Sequence, residues 1–167
     1  MFKSILFALC LLWANHLFAA ELILKPVQVY QNVYAVIGDL GGQTYENEGL
    51  NANLGFVVTT EGVLVINSGS SARVAKALHD AIRKVTSKPV MQVINVNSQS
   101  HYWLGNSYFQ ALNIPVIAHT EAKRLMLEMG ETQLASLKNT LKDKAEGTKL
   151  AYPAELVKDK SEIKLAG

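Results

Sequence analysis

Cysteine is almost absent from this sequence of 167 residues. The single cysteine, Cys10, lies in an apolar N-terminal segment. If that segment is removed, the remaining chain has no disulfide, no thiolate metal ligand and no cysteine nucleophile. This composition suits an oxidising, exported compartment without requiring one.

An excess of charge of one sign is also absent. The formal net charge is +2, with 18% charged residues, which is too little to indicate a nucleic-acid partner. The late lysines, from Lys123 to Lys164, are interspersed with Glu and Asp, as is typical of solvated helix faces. Carboxylates are missing altogether between Asp80 and Glu121, so that stretch offers no acidic metal ligand.

Residues 1–20 have the organisation of a secretory signal peptide. Residues 1–3 supply a positive start, residues 4–12 form an apolar run, and the segment ends in two alanines. An uncleaved anchor is the alternative, but Asn15 and His16 leave the run short of the roughly 20 residues that a spanning helix needs. We predict cleavage near residue 20, a secreted or periplasmic location, and no membrane span after cleavage.

The remaining residues, 21–167, are predicted to form a single α/β domain. Apolar or alternating runs predict strands at residues 27–30, 33–37, 54–59, 63–67, 90–96 and 114–118. The helical spacing of Val74, Leu78, Ile82 and Val85 predicts a helix before the fifth strand. This order is a βαβ crossover, so the fourth and fifth strands should be parallel neighbours.

A long helix is predicted over residues 120–145. Its buried stripe is expected to consist of Leu125, Met129, Leu134, Leu137 and Leu141. Gly130 is expected to bend or divide the helix, and Met126 and Met129 are expected to fill the core. Beyond the helix, residues 148–160 are predicted to be a connector, including a short apolar run at 155–157, and residues 161–165 a last strand.

The candidate site is a polar stretch at residues 95–106, Asn-Val-Asn-Ser-Gln-Ser-His-Tyr-Trp-Leu-Gly-Asn. A polar loop at the carboxyl end of a buried strand is where α/β sheets usually place their sites. Trp103 and Leu104 are predicted to anchor the loop in the core. A serine nucleophile is disfavoured, because no Asp is near to orient His101 and no G-x-S-x-G is present.

This stretch resembles the metal-binding loop of the metallo-β-lactamase superfamily, N-T-H-x-H-x-D-H-x-x-G-N, in length and at both ends. Residues 65–69, Val-Ile-Asn-Ser-Gly, resemble its V-I-D-S-G, and residues 117–119, Ile-Ala-His, resemble one of its strand-end motifs. The likeness is to the exported quinoprotein-relay and sulfur-oxidation type metallohydrolases. It implies an αββα fold, with a mixed sheet flanked by helices, of which this chain matches the first half.

The resemblance places four metal-ligand positions on Asn97, Gln99, His101 and Tyr102. Zinc is held by imidazole, thiolate or carboxylate groups, whereas carboxamide oxygens are weak zinc ligands. Only His101 is a strong ligand candidate, so the metal site is predicted to be degenerate and no zinc cofactor is assigned. The family's later ligands have no counterpart, so we expect a partial domain or a fragment of a longer product.

Four further residues are predicted to line the loop or to support it: Asn67, Ser98, Ser100 and His119. Asn67 stands where the family has Asp, which keeps hydrogen bonding but removes a charge. His101 either orients a neighbour in a polar cleft or caps the loop. For His119, a hydrogen bond near a helix start is favoured over contact with the loop of Asn97.

Three functions remain open at this point. The first is an exported metallo-β-lactamase-fold, hydrolase-like protein that is catalytically degenerate or truncated. The second is a zinc-dependent hydrolase of an ester, thioester or lactam-like bond, in which His101 and His119 hold one metal and a partner subunit completes the shell. The third is a periplasmic module that binds a small ligand for a quinoprotein or redox system. A half-sandwich would expose an apolar sheet face, which predicts a homodimer or a second-half partner.

Overall fold

The computed structural model describes residues 21–162, so the predicted signal peptide lies outside the described residues. A seven-stranded sheet has the strand order β1-β2-β3-β4-β5-β6-β7. The strands are Val27–Tyr30, Val33–Val36, Leu54–Val58, Val63–Ile66, Val90–Asn95, Val116–His119 and Glu155–Val157. The helices are α1 Ala72–Val85, α2 Ser100–Trp103, α3 Asn106–Ala111 and α4 Thr120–Leu141, followed by a 3-10 turn at Lys142–Ala145.

The sheet is mixed. Strands β1 to β4 pair antiparallel, and β4 to β7 pair parallel. The predicted parallel pairing of residues 63–67 with residues 90–96 is therefore confirmed, with α1 as the crossover helix. The predicted α/β class is confirmed as well.

Helix α1 begins at a serine cap, where the Ser71 Oγ accepts a hydrogen bond from the Val74 N–H at 3.1 Å. Val74, Leu78 and Ile82 are buried against the sheet, as predicted. The prediction that Val85 belongs to the buried stripe is wrong, since Val85 is 38% exposed. It is the last helical residue, and the chain turns to an extended conformation directly after it.

Helix α4 is continuous over its 22 residues, so Gly130 does not divide it, and that part of the prediction is wrong. A Cβ at Gly130 would lie 2.8 Å from the Tyr152 hydroxyl and 3.3 Å from the Trp103 ring, so this glycine allows close packing. That contact sets the rotation of the helix. The buried stripe consists of Met126, Gly130, Leu134, Leu137 and Leu141. Met129 is 48% exposed and Leu125 is half-buried. The prediction that these two residues belong to the buried stripe is therefore wrong.

The segment predicted to be a connector contains the strand β7, Glu155–Val157, which pairs with β6. The predicted last strand at 161–165 is not seen at residues 161–162, and the rest of it lies outside the described residues.

Both hydrophobic clusters lie on one face of the sheet. The larger joins α1 and Phe109 of α3 to side chains of β3, β4 and β5, and the smaller joins α4 to Trp103, Leu104 and Ala118. Among the helices of residues 21–162, none is long and apolar enough to cross a membrane.

Candidate functional site

The site lies at the carboxyl edge of the parallel strands β4, β5 and β6. Asn67 directly follows β4 and is buried, and its backbone has a φ of 65°. Asn tolerates this left-handed conformation better than most residues do. The Asn67 Oδ1 accepts a hydrogen bond from the Val96 N–H at 3.1 Å, so Asn67 fixes the start of the candidate loop.

A buried amide network joins the two ends of that loop. The Asn106 Nδ2 donates to the Asn95 Oδ1 at 2.8 Å and to the Ala151 carbonyl at 3.1 Å. The Ser68 Oγ donates to the Asn106 Oδ1 at 2.8 Å, and the Asn95 Nδ2 donates to the Tyr102 carbonyl at 3.0 Å. Buried polar groups are costly unless paired, so this network specifies the path of the loop.

Asn97 and Gln99, which the sequence resemblance places at ligand positions, are exposed. The Asn97 Oδ1 accepts a hydrogen bond from the Gln99 N–H at 3.0 Å, which forms a local turn. Gln99 is the residue before α2, and its side chain makes no capping hydrogen bond to that helix. Asn97 therefore shapes the loop, whereas the Gln99 amide is exposed at the edge of the sheet.

The two serines attach the loop to other parts of the chain. The Ser98 carbonyl accepts from the Gln133 Nε2 at 3.0 Å, and the Ser100 Oγ donates to the Gln43 Oε1 at 3.2 Å. The Gln133 Oε1 also accepts from the Trp103 indole N–H at 2.8 Å. Gln133 thus ties α4 to the loop. Sequence reasoning missed this role, because one glutamine among the polar residues of a helix gives no signal.

His101 and Tyr102 are half-buried and pack against each other, with ring centroids 4.5 Å apart and planes at 56°. Burial lowers the pKa of the His101 imidazole from its ordinary value, because the charged form loses hydration. Burial thus favours the neutral form of the His101 imidazole. The Tyr102 carbonyl accepts a hydrogen bond from the Ser68 N–H at 2.9 Å. This bond attaches the backbone at Tyr102 to the segment that follows β4.

His119 ends β6 and caps α4. Its Nδ1 accepts a hydrogen bond from the Glu121 N–H at 3.2 Å, and the residue is exposed. The favoured interpretation, a hydrogen bond near a helix start, matches this geometry. Within residues 21–162, no hydrogen bond joins His119 to the loop of Asn97.

An ion cluster that the sequence did not indicate holds the 38–53 loop beside the site. The Glu48 carboxylate accepts from the Arg73 Nε at 3.0 Å and from the Lys144 Nζ at 2.9 Å, and its side chain is only 11% exposed. The same Lys144 lies over the Tyr45 ring at 3.9 Å and donates to the Tyr45 carbonyl. This cluster joins the loop that carries Gln43 to α1 and to the turn after α4.

Comparison with known proteins bears on the fold. No protein-family model matches the chain. A metallo-β-lactamase from Hirschia baltica is 14% identical, with a TM-score of 0.61, over 84% of this chain and 54% of that one. The metallo-β-lactamase IND-7 is 17% identical, with a TM-score of 0.59, over 86% and 55%. FIM-1 from Pseudomonas aeruginosa, described in its mono-zinc form, is 10% identical, with a TM-score of 0.55, over 66% and 48%.

The chain has a metallo-β-lactamase fold. The predicted fold is thus confirmed, as a partial one, because the chain spans about half the length of these structures. At these identities the likeness establishes the fold alone.

The residues present do not fit the zinc ion that this fold implies. Within residues 21–162, no group of three or more His, Cys, Asp or Glu is placed to hold a metal. Residues 97, 99, 101 and 102, the positions that the sequence resemblance indicated, supply two carboxamides, one imidazole and one phenol, and a zinc site needs three or four imidazole, thiolate or carboxylate donors. We therefore derive no chemical step through a metal.

Proposed function

We propose that this is an exported protein of metallo-β-lactamase fold that does not act as a zinc hydrolase by itself. The observation that carries the proposal is the donor set at residues 97, 99, 101 and 102. A hydrolase of this kind needs three protein ligands and one open position, where the metal lowers the pKa of a bound water. His101 supplies one ligand, and no carboxylate lies between Asp80 and Glu121 to help it.

The hydrogen bonds of the loop support the same proposal. The Asn97 Oδ1 is engaged by a backbone N–H, and the Ser98 carbonyl by Gln133. The Asn97 Oδ1 already holds the turn that positions Gln99, which restricts the directions in which it could face an ion. The loop is thus built from groups that satisfy one another rather than from groups that converge on an ion.

A second candidate function is the binding of a small polar ligand in an exported quinoprotein or redox system. It is favoured by the exposed side chains of Asn97 and Gln99 in the loop that follows β5. The association with a quinoprotein or redox system is inferred from the sequence resemblance to the quinoprotein-relay branch. A ligand that binds here would raise the thermal unfolding midpoint in the presence of a chelator.

The test of the main proposal is hydrolysis. The full chain is expressed so that the cell performs any processing, and mass spectrometry of the purified protein gives its N-terminus. We expect loss of the first 19 or 20 residues. We also expect no turnover of chromogenic lactam, ester and thioester substrates above buffer, with or without added zinc.

A chelator-sensitive rate that disappears in His101→Ala would refute the proposal. It would support instead a zinc hydrolase in which His101, His119 and a partner subunit share one metal. The matched control is His79→Ala, which removes a histidine that lies on α1 and contacts Tyr108.

A further inference from the structure

The sheet has a second face that neither hydrophobic cluster covers. Because directly paired residues point to the same side of a sheet, the strand register defines this face. One row crosses all seven strands: Val27, Ala35, Gly55, Ile66, Ile94, Ile117 and Glu155. A second row contains Tyr30, Val33, Val57, Leu64 and Gln92. We call these two rows the open face.

The open face is apolar and uncharged except at one edge. Glu155, on the edge strand β7, is its only ionisable carboxylate, and Gln92 is the only amide side chain in its two rows. Leu64 and Ile94 on the central strands are half-buried, Ile117 on β6 is only 5% exposed, and Val27 at the other edge is 54% exposed. Parallel strands in particular are normally covered on both faces, so this face has the composition of a buried surface.

The size of the open face matches that of a stable interface. Seven strands about 4.8 Å apart, with two rows of side chains and their rims, cover about 30 Å by 15 Å. Two such faces in contact bury on the order of 1,000 Å² of accessible surface, which is the lower end of the range for specific protein interfaces. A patch of this extent on one chain is characteristic of an interaction site.

We propose that a second copy of this chain covers the open face, in a two-fold symmetric dimer with the sheets packed face to face. Under a two-fold axis each copy presents the same patch, and an uncharged patch opposes no like charges at its centre. The formal charge of +2 per chain adds little repulsion between copies. Two sheets pack in this way with their strands roughly 30° apart and their side chains interdigitated.

The chain spans 54–55% of the length of two solved structures of this fold. This inference is independent of whether the loop binds zinc.

The test is the mass of the purified protein in solution, measured by light scattering and sedimentation over a range of concentrations. We expect twice the mass of the protomer for the unaltered protein. Leu64→Lys and Ile94→Lys, in the central strands, should give single protomers, because two-fold symmetry places the new charges in one dry interface. Leu127→Lys is the matched control, since Leu127 is 55% exposed on the outer side of α4, and it should stay dimeric.

Circular dichroism and cooperative unfolding show whether each variant is folded. If a lysine variant is not, Leu64→Thr and Ile94→Thr replace it, because threonine keeps the strand propensity and weakens the interface. A folded, unaltered protein that is monomeric up to about 100 µM, where a specific interface of this size is occupied, overturns the proposal. The proposal is also overturned if the lysine variants remain dimeric. It is overturned as well if a different polypeptide is found bound to the open face in stoichiometric amount.

Discussion

The Asn106 side-chain amide donates to the Asn95 Oδ1 at 2.8 Å and so joins the end of the candidate loop to its start. Both side chains are buried, and Asn106 also receives the Ser68 hydroxyl. The loop therefore keeps a fixed shape without a metal. The same hydrogen bonds fix the start and the end of the stretch 95–106 relative to each other.

Removal of the Asn106 amide should destabilise the fold. In Asn106→Ala, the Asn95 Oδ1, the Ser68 hydroxyl and the Ala151 carbonyl each lose a partner in a dry site, and we expect a loss of about 3 kcal/mol in the free energy of unfolding. Urea denaturation measures it. Asn139→Ala, on the exposed side of α4, is the control and should leave the midpoint unchanged. If both variants change the free energy of unfolding equally, the buried network contributes no more to stability than an exposed side chain does.

The ion cluster at Glu48 gives a second prediction. Glu48→Gln leaves the ammonium of Lys144 beside a neutral amide in a mostly buried setting, so we expect a loss of about 2 kcal/mol. The loop that carries Gln43 should also become more accessible to protease. Glu128→Gln is the control, because Glu128 pairs with Arg124 on the exposed surface of α4, and it should change neither result. Similar losses in both variants would contradict the account.

Stability should fall between neutral and mildly acidic pH. Burial lowers the folded-state pKa of both His79 and His101 below their ordinary value of 6.5. The unfolded chain therefore binds more protons in this range, so the free energy of unfolding decreases as the pH falls from about 7 to about 5. Denaturation midpoints across this range measure the effect, and the double variant His79→Gln, His101→Gln should flatten it. A slope that is unchanged in the double variant would exclude these histidines as its cause.

Much of the fold could be predicted because periodicity and crossover rules act locally. The strands at 27–30 and 63–67, the helix after Ser71 and the parallel pairing of β4 with β5 follow from patterns within a few residues of each other. The burial of Trp103 and Leu104 could also be predicted from the local sequence, because large apolar side chains inside a polar loop tend to be buried.

The failed predictions depend on contacts between distant parts of the chain. The rotation of α4 is set by the fit of Gly130 against Trp103 and Tyr152, which helical spacing alone cannot indicate. Strand β7 has only three residues and depends on its pairing with β6. The partners Gln43 and Gln133 were not predicted, because they lie 57 and 35 residues from the groups that they bind.

Zinc binding tests the central claim most directly. The purified protein and a variant with Asn97→His, Gln99→His and Tyr102→His are equilibrated with equimolar zinc and dialysed, and the metal is measured by elemental analysis. We predict that the unaltered protein retains far less than one zinc per chain, and that the variant retains more because it gains three imidazoles. One zinc per chain held by the unaltered protein, and lost in His101→Ala, would contradict the account.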